Sequence, residues 1–409
     1  MQEWLHTPIG VEPERWTTWS GCQKVLAVAH TVADAQRLMD PVAVLAADQR
    51  VQVVFTIAPH AVFGSGVDEW LRATGTVVVS WEQAIRTRFD LALATSMSRE
   101  LDRVLAPIVL FAHGVGFNKL TPFPEYGRQR VARQPYGLAR EGLVRDGQLV
   151  VARLALAHTR ERTRLGRVCP EAMDSACVVG DAAVDRLLES LRQRDRCRRR
   201  LGVGPEEKLV VATSTWGASS LLGEGREILS RLVRQARGGR CRVALLIHPN
   251  VWAAHGTWQV VSWLRPWAES GLIVVPMSAE WSGVLAAADA VLGDHGSTAL
   301  YATLLTRPIL LAPHGAEDVD PASPMGQALR NLPRIGEDTP ILDQLLRDLS
   351  PGEQDALTFL SRQVSSYPGR FAPRVRAVLY ELLDLSEPDE PAGVRPLRPP
   401  ALDTPWRQS

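Results

Sequence analysis

Short apolar runs alternate with helix-period segments along nearly the whole chain. Residues 24–30 (KVLAVAH) are apolar enough to form a strand buried on both faces, and the spacing predicts a helix through Ala33–Leu45. Further strands are predicted at 51–57, 76–80, 89–96, 107–113, 149–158 and 175–181, with a helix at 67–75. A polar, arginine-rich helix over 183–203 closes this series. A second series follows, with strands at 208–214, 241–249, 271–276, 289–294 and 307–313. Helices fall between them at about 222–236, 257–269, 280–288 and 297–305. Alternation of this kind builds βαβ units and a parallel, doubly wound sheet. Two series therefore predict two α/β domains, over 1–190 and 191–350. An amphipathic helical region at 351–386 is expected to pack back on the first domain, broken into two helices by Pro368 and Pro373. The tail, 387–409, carries six prolines among charged residues, and disorder is expected there.

The chain has 409 residues, enough for two full cores. Apolar residues make up 45% and charged residues 22%, which excludes wholesale disorder. The net charge of +1 argues against a dedicated nucleic-acid binder. Five scattered cysteines without a CxxC pair fit a reducing compartment better than a disulfide framework or a zinc site. The first twenty residues lack the apolar stretch of a signal peptide, and no run of about 20 apolar residues follows. A cytoplasmic protein is expected. Peripheral contact with a membrane surface stays open, with the basic run Arg192–Arg200 its one candidate feature, and the oligomeric state is not readable.

Ligands of open α/β sheets bind where strands end and helices begin, so those junctions carry the candidate chemistry. Asp294-His295-Gly296-Ser297-Thr298 follows a strand and offers a close backbone approach, two hydroxyls and helix N–H groups, an anion cradle. The alternative is that Ser297 or Thr298 merely caps a helix. His248 ends another strand and is either a phosphate ligand or a structural histidine. Thr213, Ser214 and Thr215 form a hydroxyl cluster after the first strand of the second series, or ordinary turn groups. In the first series, His113 and Gly114, then Lys119, follow the strand at 107–113; a histidine there suits a general base and the lysine an anion. His30 ends the first strand at the same rim. Asp181, after Gly180, reads as a helix cap. Walker A, GxGxxG and HExxH motifs are absent. Twelve tryptophans are present, five of them at 252, 258, 263, 267 and 281, and one or two could stack on a base or sugar.

These junctions, taken in order, resemble the CDP-glycerol glycerophosphotransferases, the teichoic-acid polymerases and primases. His113-Gly114 with Lys119 is similar to their HG(x)nK segment. Val179-Gly180-Asp181 with Asp185 resembles GxPxxD, and Val211 to Trp216 resembles APTW/F. His248-Pro249 matches HP. Ala288-Asp289, Gly293 to Thr298 and Arg307-Pro308 resemble AD…TDYSS…KP. The likeness covers about 107–312, half of the chain. It departs from the pattern at Gly217, His295 and Gly296.

The resemblance implies a GT-B fold: two Rossmann-like doubly wound parallel-sheet domains with an interdomain cleft and a C-terminal crossover helix. It implies transfer of a glycosyl or glycerophosphate-type group from a CDP- or UDP-linked donor to a hydroxyl acceptor, in cell-envelope polymer or secondary-metabolite synthesis, without a metal or other cofactor. His113 would be the base, and His248, Ser297 and Thr298 would hold donor phosphates. Two other functions fit the same fold. One is a UDP-sugar 2-epimerase, which needs acid/base carboxylates, for which Asp181 and Asp294 are the nominees. The other is a nucleotide-binding protein without catalysis, which the departures favour.

Overall fold

The structure is a computed structural model and describes residues 4–10, 15–121, 133–398 and 400. The first series comprises β1 (Gln23–Ala29), α1 (Val32–Leu45), β2 (Val51–Ile57), α2 (Val67–Ala73), β3 (Val78–Val79), α3 (Trp81–Ala84), β4 (Leu91–Ala94) and β5 (Ile108–Phe111). It continues with α4 (Arg140–Leu143), the hairpin β6 (Val144–Arg145) and β7 (Gln148–Leu149), β8 (Arg153–Leu156), α5 (Thr159–Val168) and β9 (Ala176–Val178). Then come α6 (Ala182–Arg192), α7 (Arg194–Arg200), β10 (Lys208–Ser214), α8 (Arg226–Ala236), β11 (Cys241–Ile247), α9 (Pro249–His255), α10 (Thr257–Glu269) and β12 (Leu272–Val274). The remainder is α11 (Trp281–Ala286), β13 (Ala290–Gly293), α12 (Ser297–Ala302), β14 (Ile309–Leu311), α13 (Pro324–Asn331), α14 (Ile341–Leu346), α15 (Pro351–Ser361) and α16 (Phe371–Leu382).

Seven strands form one sheet in the order β3-β2-β1-β4-β5-β8-β9, every pair parallel. Five form a second, β12-β11-β10-β13-β14, also all parallel. Each order reverses once, between β1 and β4 and between β10 and β13. A parallel sheet with helices on both faces buries both sides of its central strands. Val25 to Ala29 in β1 and Leu209 to Ala212 in β10 are accordingly all fully buried. Leu26, Leu93 and Leu154 anchor the first core and Leu229, Leu245 and Leu292 the second. The reversal points are where such a sheet opens a crevice at its carboxyl end.

The chain divides into two compact units. The first holds the described residues up to Phe117, then Gln134–Ala182 and Ser366–Arg395. The second holds Asn118 to Thr121, Arg133, Ala183–Ser365 and the described residues beyond Arg395. The division thus falls at 182/183, ahead of the expected 190/191, and it takes the segment carrying Lys119 out of the first unit. The 183–203 helix breaks at Gln193, whose backbone (φ −106°, ψ 20°) leaves helical geometry. The expected 149–158 strand is a turn of hairpin followed by β8. The 351–386 region divides as predicted into two helices, but Pro368 falls in the gap and Pro373 sits in the first turn of α16, where a missing N–H costs nothing. Only α16 joins the first unit, against α1; α15 packs on α13 in the second. The expected disorder of the tail is corrected for 387–395. Arg376 pairs with Glu387 at 2.7 Å and Arg395 with Asp40 at 3.1 Å, tying this stretch to the first unit. Residues 401–409 lie outside the described part.

Leu379 of α16 is fully buried, and next to it the Tyr380 hydroxyl donates to Asp48 at 2.7 Å. Leu379→Ala should destabilise the first unit by about 2–5 kcal/mol. Urea unfolding followed by tryptophan fluorescence measures it; an unchanged midpoint would show that α16 does not hold that unit together.

Candidate functional site

Thr31 follows β1 and caps α1. Its hydroxyl accepts from the Asp34 N–H at 3.1 Å, and the Asp34 carboxylate accepts from the Thr31 N–H at 3.0 Å, a capping box. This fixes Asp34 at the reversal point between β1 and β4. The carboxylate is fully buried, yet Oδ1 accepts from Thr95 Oγ at 2.7 Å, Ser96 Oγ at 2.7 Å and His113 Nδ1 at 2.8 Å. Thr95 and Ser96 follow β4, and His113 follows β5. Burial pushes the Asp34 carboxyl up, but His113, His30 and Ser96 outweigh it and hold it below the usual carboxylate range. An ionised carboxylate only accepts, so His113 Nδ1 carries the proton and Nε2 carries the lone pair. The His113 side chain is 39% exposed while Asp34 is not exposed at all. A half-open imidazole oriented from behind by a buried carboxylate is an arrangement that can serve as a general base.

His30, also a candidate base, lies close by but is 94% buried, and neither ring nitrogen finds a hydrogen-bond partner among the described residues. Burial lowers its pKa against the pull of Asp34, so it stays neutral near pH 7. It belongs to the electrostatic surroundings of the pair and is not hydrogen-bonded into it. Arg37, one turn beyond Asp34, donates Nε to the Ala112 carbonyl at 2.9 Å and pairs with the buried Asp181 at 2.6 Å. That bridge fixes the backbone just before His113, and it commits Asp181 to a structural ion pair.

The loop after His113 is held from the other side. Gly116 (φ 91°) and Phe117 (φ 43°) both lie in the left-handed region, a strained conformation for Phe117. The buried Glu161 of α5 accepts from Gly116 N–H at 3.1 Å and from Ala157 N–H at 2.7 Å, and Arg164 donates to the Gly116 and Phe117 carbonyls. Burial pushes the Glu161 carboxyl up to about 7, against the backbone donors and Arg164 that favour its charge.

In the second unit Asp294 has the organising role. It follows β13 at the reversal point and is 1% exposed. Oδ2 accepts from the Thr215 N–H at 2.8 Å and the Leu221 N–H at 3.0 Å, and Oδ1 from the Gly296 N–H at 2.9 Å. It therefore ties the loop after β10 to the loop after β13, and its oxygens face amides of its own chain, not an anion. Gly296 fits because a Cβ there would come within 3.1 Å of both Asp294 and Thr215. Gly296 is the N-cap of α12 and provides no side-chain cap, so the Ser297 and Thr298 hydroxyls at the helix start do not serve as its cap. Ser214 Oγ accepts from Leu222 N–H at 2.9 Å and donates to Thr215 O, which makes it a turn group; Thr213 is buried within β10. His248 follows β11 and caps α9, with Nδ1 accepting from the Asn250 N–H at 3.1 Å, so Nε2 bears the proton of the neutral ring and can donate. Lys119 pairs in the antiparallel sense with Val319, and its ammonium stands 4.0 Å from the Trp216 ring centroid. Burial lowers the Lys119 pKa, and Asp318 and Asp294 pull it back only in part. His295 is 4% exposed, against the Gly315 backbone, where a Cβ would come within 2.0 Å of the ring. Burial lowers the His295 pKa, so this residue packs as a neutral ring rather than presenting a cation.

Sequence reasoning missed Asp34, Thr95, Ser96 and Arg37. The Thr31–Asp34 spacing was visible as a capping box, but nothing local announces that the same carboxylate meets His113, 79 residues further on.

Two Rossmann-like α/β units with these strand orders define the GT-B fold. No protein-family profile matches the chain, and no curated protein is similar to it in sequence. Solved structures are similar in fold. The wall teichoic acid polymerase TagF superposes with a TM-score of 0.60 at 12% identity over 89% of this chain and 90% of that one. A TagF variant soaked with CDPG gives 0.58 at 11%, covering 89% of both chains. The S. aureus MnaA–UDP structure gives 0.53 at 13%, over 89% of this chain and 98% of that one.

Two outcomes follow. Glu161 titrates near 7 when folded and near 4.5 when unfolded, so the folded state holds the extra proton between those values. Its contribution is complete below about pH 4.5 and is lost as pH rises through 7, on the order of 3 kcal/mol. Glu161→Gln should flatten that loss in thermal midpoints between pH 4.5 and 8; an unaltered profile would contradict it. Asp294→Ala strands three backbone N–H donors and should cost about 3 kcal/mol or more, read as a lowered denaturation midpoint.

Proposed function

We propose that the chain is a metal-independent GT-B transferase, moving a glycosyl or glycerophosphate-type group from a CDP- or UDP-linked donor to a hydroxyl acceptor. The observation that carries this reading is the Asp34–His113 pair, an oriented base at the switch point of the first sheet. In this reading His113 Nε2 takes the acceptor hydroxyl proton as the oxygen attacks the transferred group. The bond to the donor phosphate breaks, and the nucleotide leaves with the electron pair. Within the second unit, the Nε2–H of His248, the hydroxyls of Ser297 and Thr298, and Lys119 are the donors suited to a phosphate. Asp294 and Thr215 shape the loops that present them. The likeness to structures soaked with CDPG or bound to UDP supports the choice of donor class, and the likeness to the wall teichoic acid polymerase TagF supports a place in cell-envelope polymer synthesis.

The isomerase alternative finds less support. Its two nominated carboxylates are committed, Asp181 to Arg37 and Asp294 to three amides. Among the described residues no helix is long and apolar enough to cross a membrane.

His113→Ala should abolish transfer and leave CDP or UDP affinity within about twofold. Asp34→Asn should lower turnover by about 10²–10⁴-fold, because an amide supports the wrong tautomer. Calorimetry with CDP, UDP and CDP-glycerol, then radiolabel transfer to an acceptor panel, measures both. Nucleotide binding with no transfer by the wild type would favour the non-catalytic alternative, and full activity in His113→Ala would remove the base.

A further inference from the structure

The arginine run between the two series takes no part in the site described above. α6 ends at Arg192 and α7 starts at Arg194, with the break at Gln193 between them. The inner face of α7 is fixed. Cys197 and Arg198 are buried, and Arg198 donates to the Ala287 carbonyl at 3.0 Å and pairs with Asp289 at 2.8 Å. Arg194 reaches the other oxygen of Asp289 at 2.8 Å. These anchors leave Arg192, Arg196 and Arg199 around one open depression of about 560 Å³. Arg196 and Arg199, three residues apart on α7, stand about one turn from each other, and Arg192 ends α6 on the other side of the break.

Acidic groups only partly answer them. Glu189 pairs with Arg192 at 2.7 Å, where the arginine side chain is 77% exposed. Asp195 stands in the lining. Arg196 reaches only the Gln193 amide oxygen, at 3.4 Å, and Arg199 and Arg200 have no carboxylate partner among the described residues. Like charges one turn apart repel. A multiply charged anion removes that repulsion and matches the guanidinium fork with pairs of oxygens.

We propose that this depression binds a ligand carrying several linked phosphate groups, an oligophosphate or a short phosphodiester chain. The depression is shallow and open, and its one apolar side chain, Leu191, is half-buried. A patch that inserts into a membrane carries fully exposed aromatic or aliphatic side chains beside its basic groups, and half-buried Leu191 is the sole apolar side chain of this lining. The guanidinium groups form the site, and the short helix's N–H groups are not required. The inference stands independently of the transferase reading.

The test is calorimetric titration of the full chain with inorganic tripolyphosphate at two salt concentrations. One site is expected that weakens as salt rises and that binds tripolyphosphate at least about tenfold more tightly than orthophosphate. Arg196→Gln with Arg199→Gln should weaken it at least about tenfold with an unchanged thermal midpoint, since both side chains are exposed. His248→Ala should leave this site intact, which separates it from any donor-phosphate site. Equal binding by the double variant, or loss of the site in His248→Ala, would overturn the proposal. So would sedimentation with phosphatidylglycerol vesicles that the double variant loses while tripolyphosphate fails to bind, because that would make the surface a membrane contact.

Discussion

A carboxylate with no exposed surface at the switch point of a parallel sheet is the constraint on which the first unit's site depends. Asp34 cannot remain charged there without donors, since an unanswered buried charge would neutralise or unfold the site. It collects them from three separate chain segments: Thr31 after β1, Thr95 and Ser96 after β4, and His113 after β5. One group thereby registers three strand ends against each other. The same requirement fixes which nitrogen of His113 donates, so satisfying the carboxylate and orienting the ring come from a single arrangement. Arg37 and Glu161 then hold the chain on either side of that histidine.

The second unit repeats the logic with different partners. Asp294, again buried and again at the switch point, collects backbone N–H groups from the loops after β10 and β13. Because its oxygens are occupied by these amides, Asp294 itself acts as a scaffold for the two loops. Unit one thus holds a histidine backed by a buried carboxylate, and unit two holds two strand-end loops joined by one.

The two sheets were legible in the sequence because buried parallel strands read as unbroken apolar runs such as KVLAVAH and KLVVATS. Strand-end positions for His113, His248 and Ser297 followed from the same runs. Boundaries were less legible. The 183–203 helix has helical propensity throughout, and only its tertiary anchors at Arg194 and Arg198 reveal the break at Gln193. Pro373 looked like a breaker but falls in a first turn. Lys119 follows His113 by six residues, yet the chain carries it into the other unit. Asp34 was hidden for a different reason: its local role as a helix cap is complete in itself, and its second role exists only once β5 lies beside β4. His295 shows the converse, since a histidine in a polar motif turned out to pack as a ring on Gly315.

The central claim, that Asp34 sets His113 as a base, can be tested without knowing the substrate. Long-range ¹⁵N–¹H NMR of the histidine rings reports which nitrogen holds the proton. The account predicts that His113 in the wild-type protein at neutral pH is protonated at Nδ1 and bare at Nε2, and that Asp34→Asn abolishes this preference. A His113 ring protonated at Nε2 in the wild type, or a tautomer unmoved by Asp34→Asn, would contradict it.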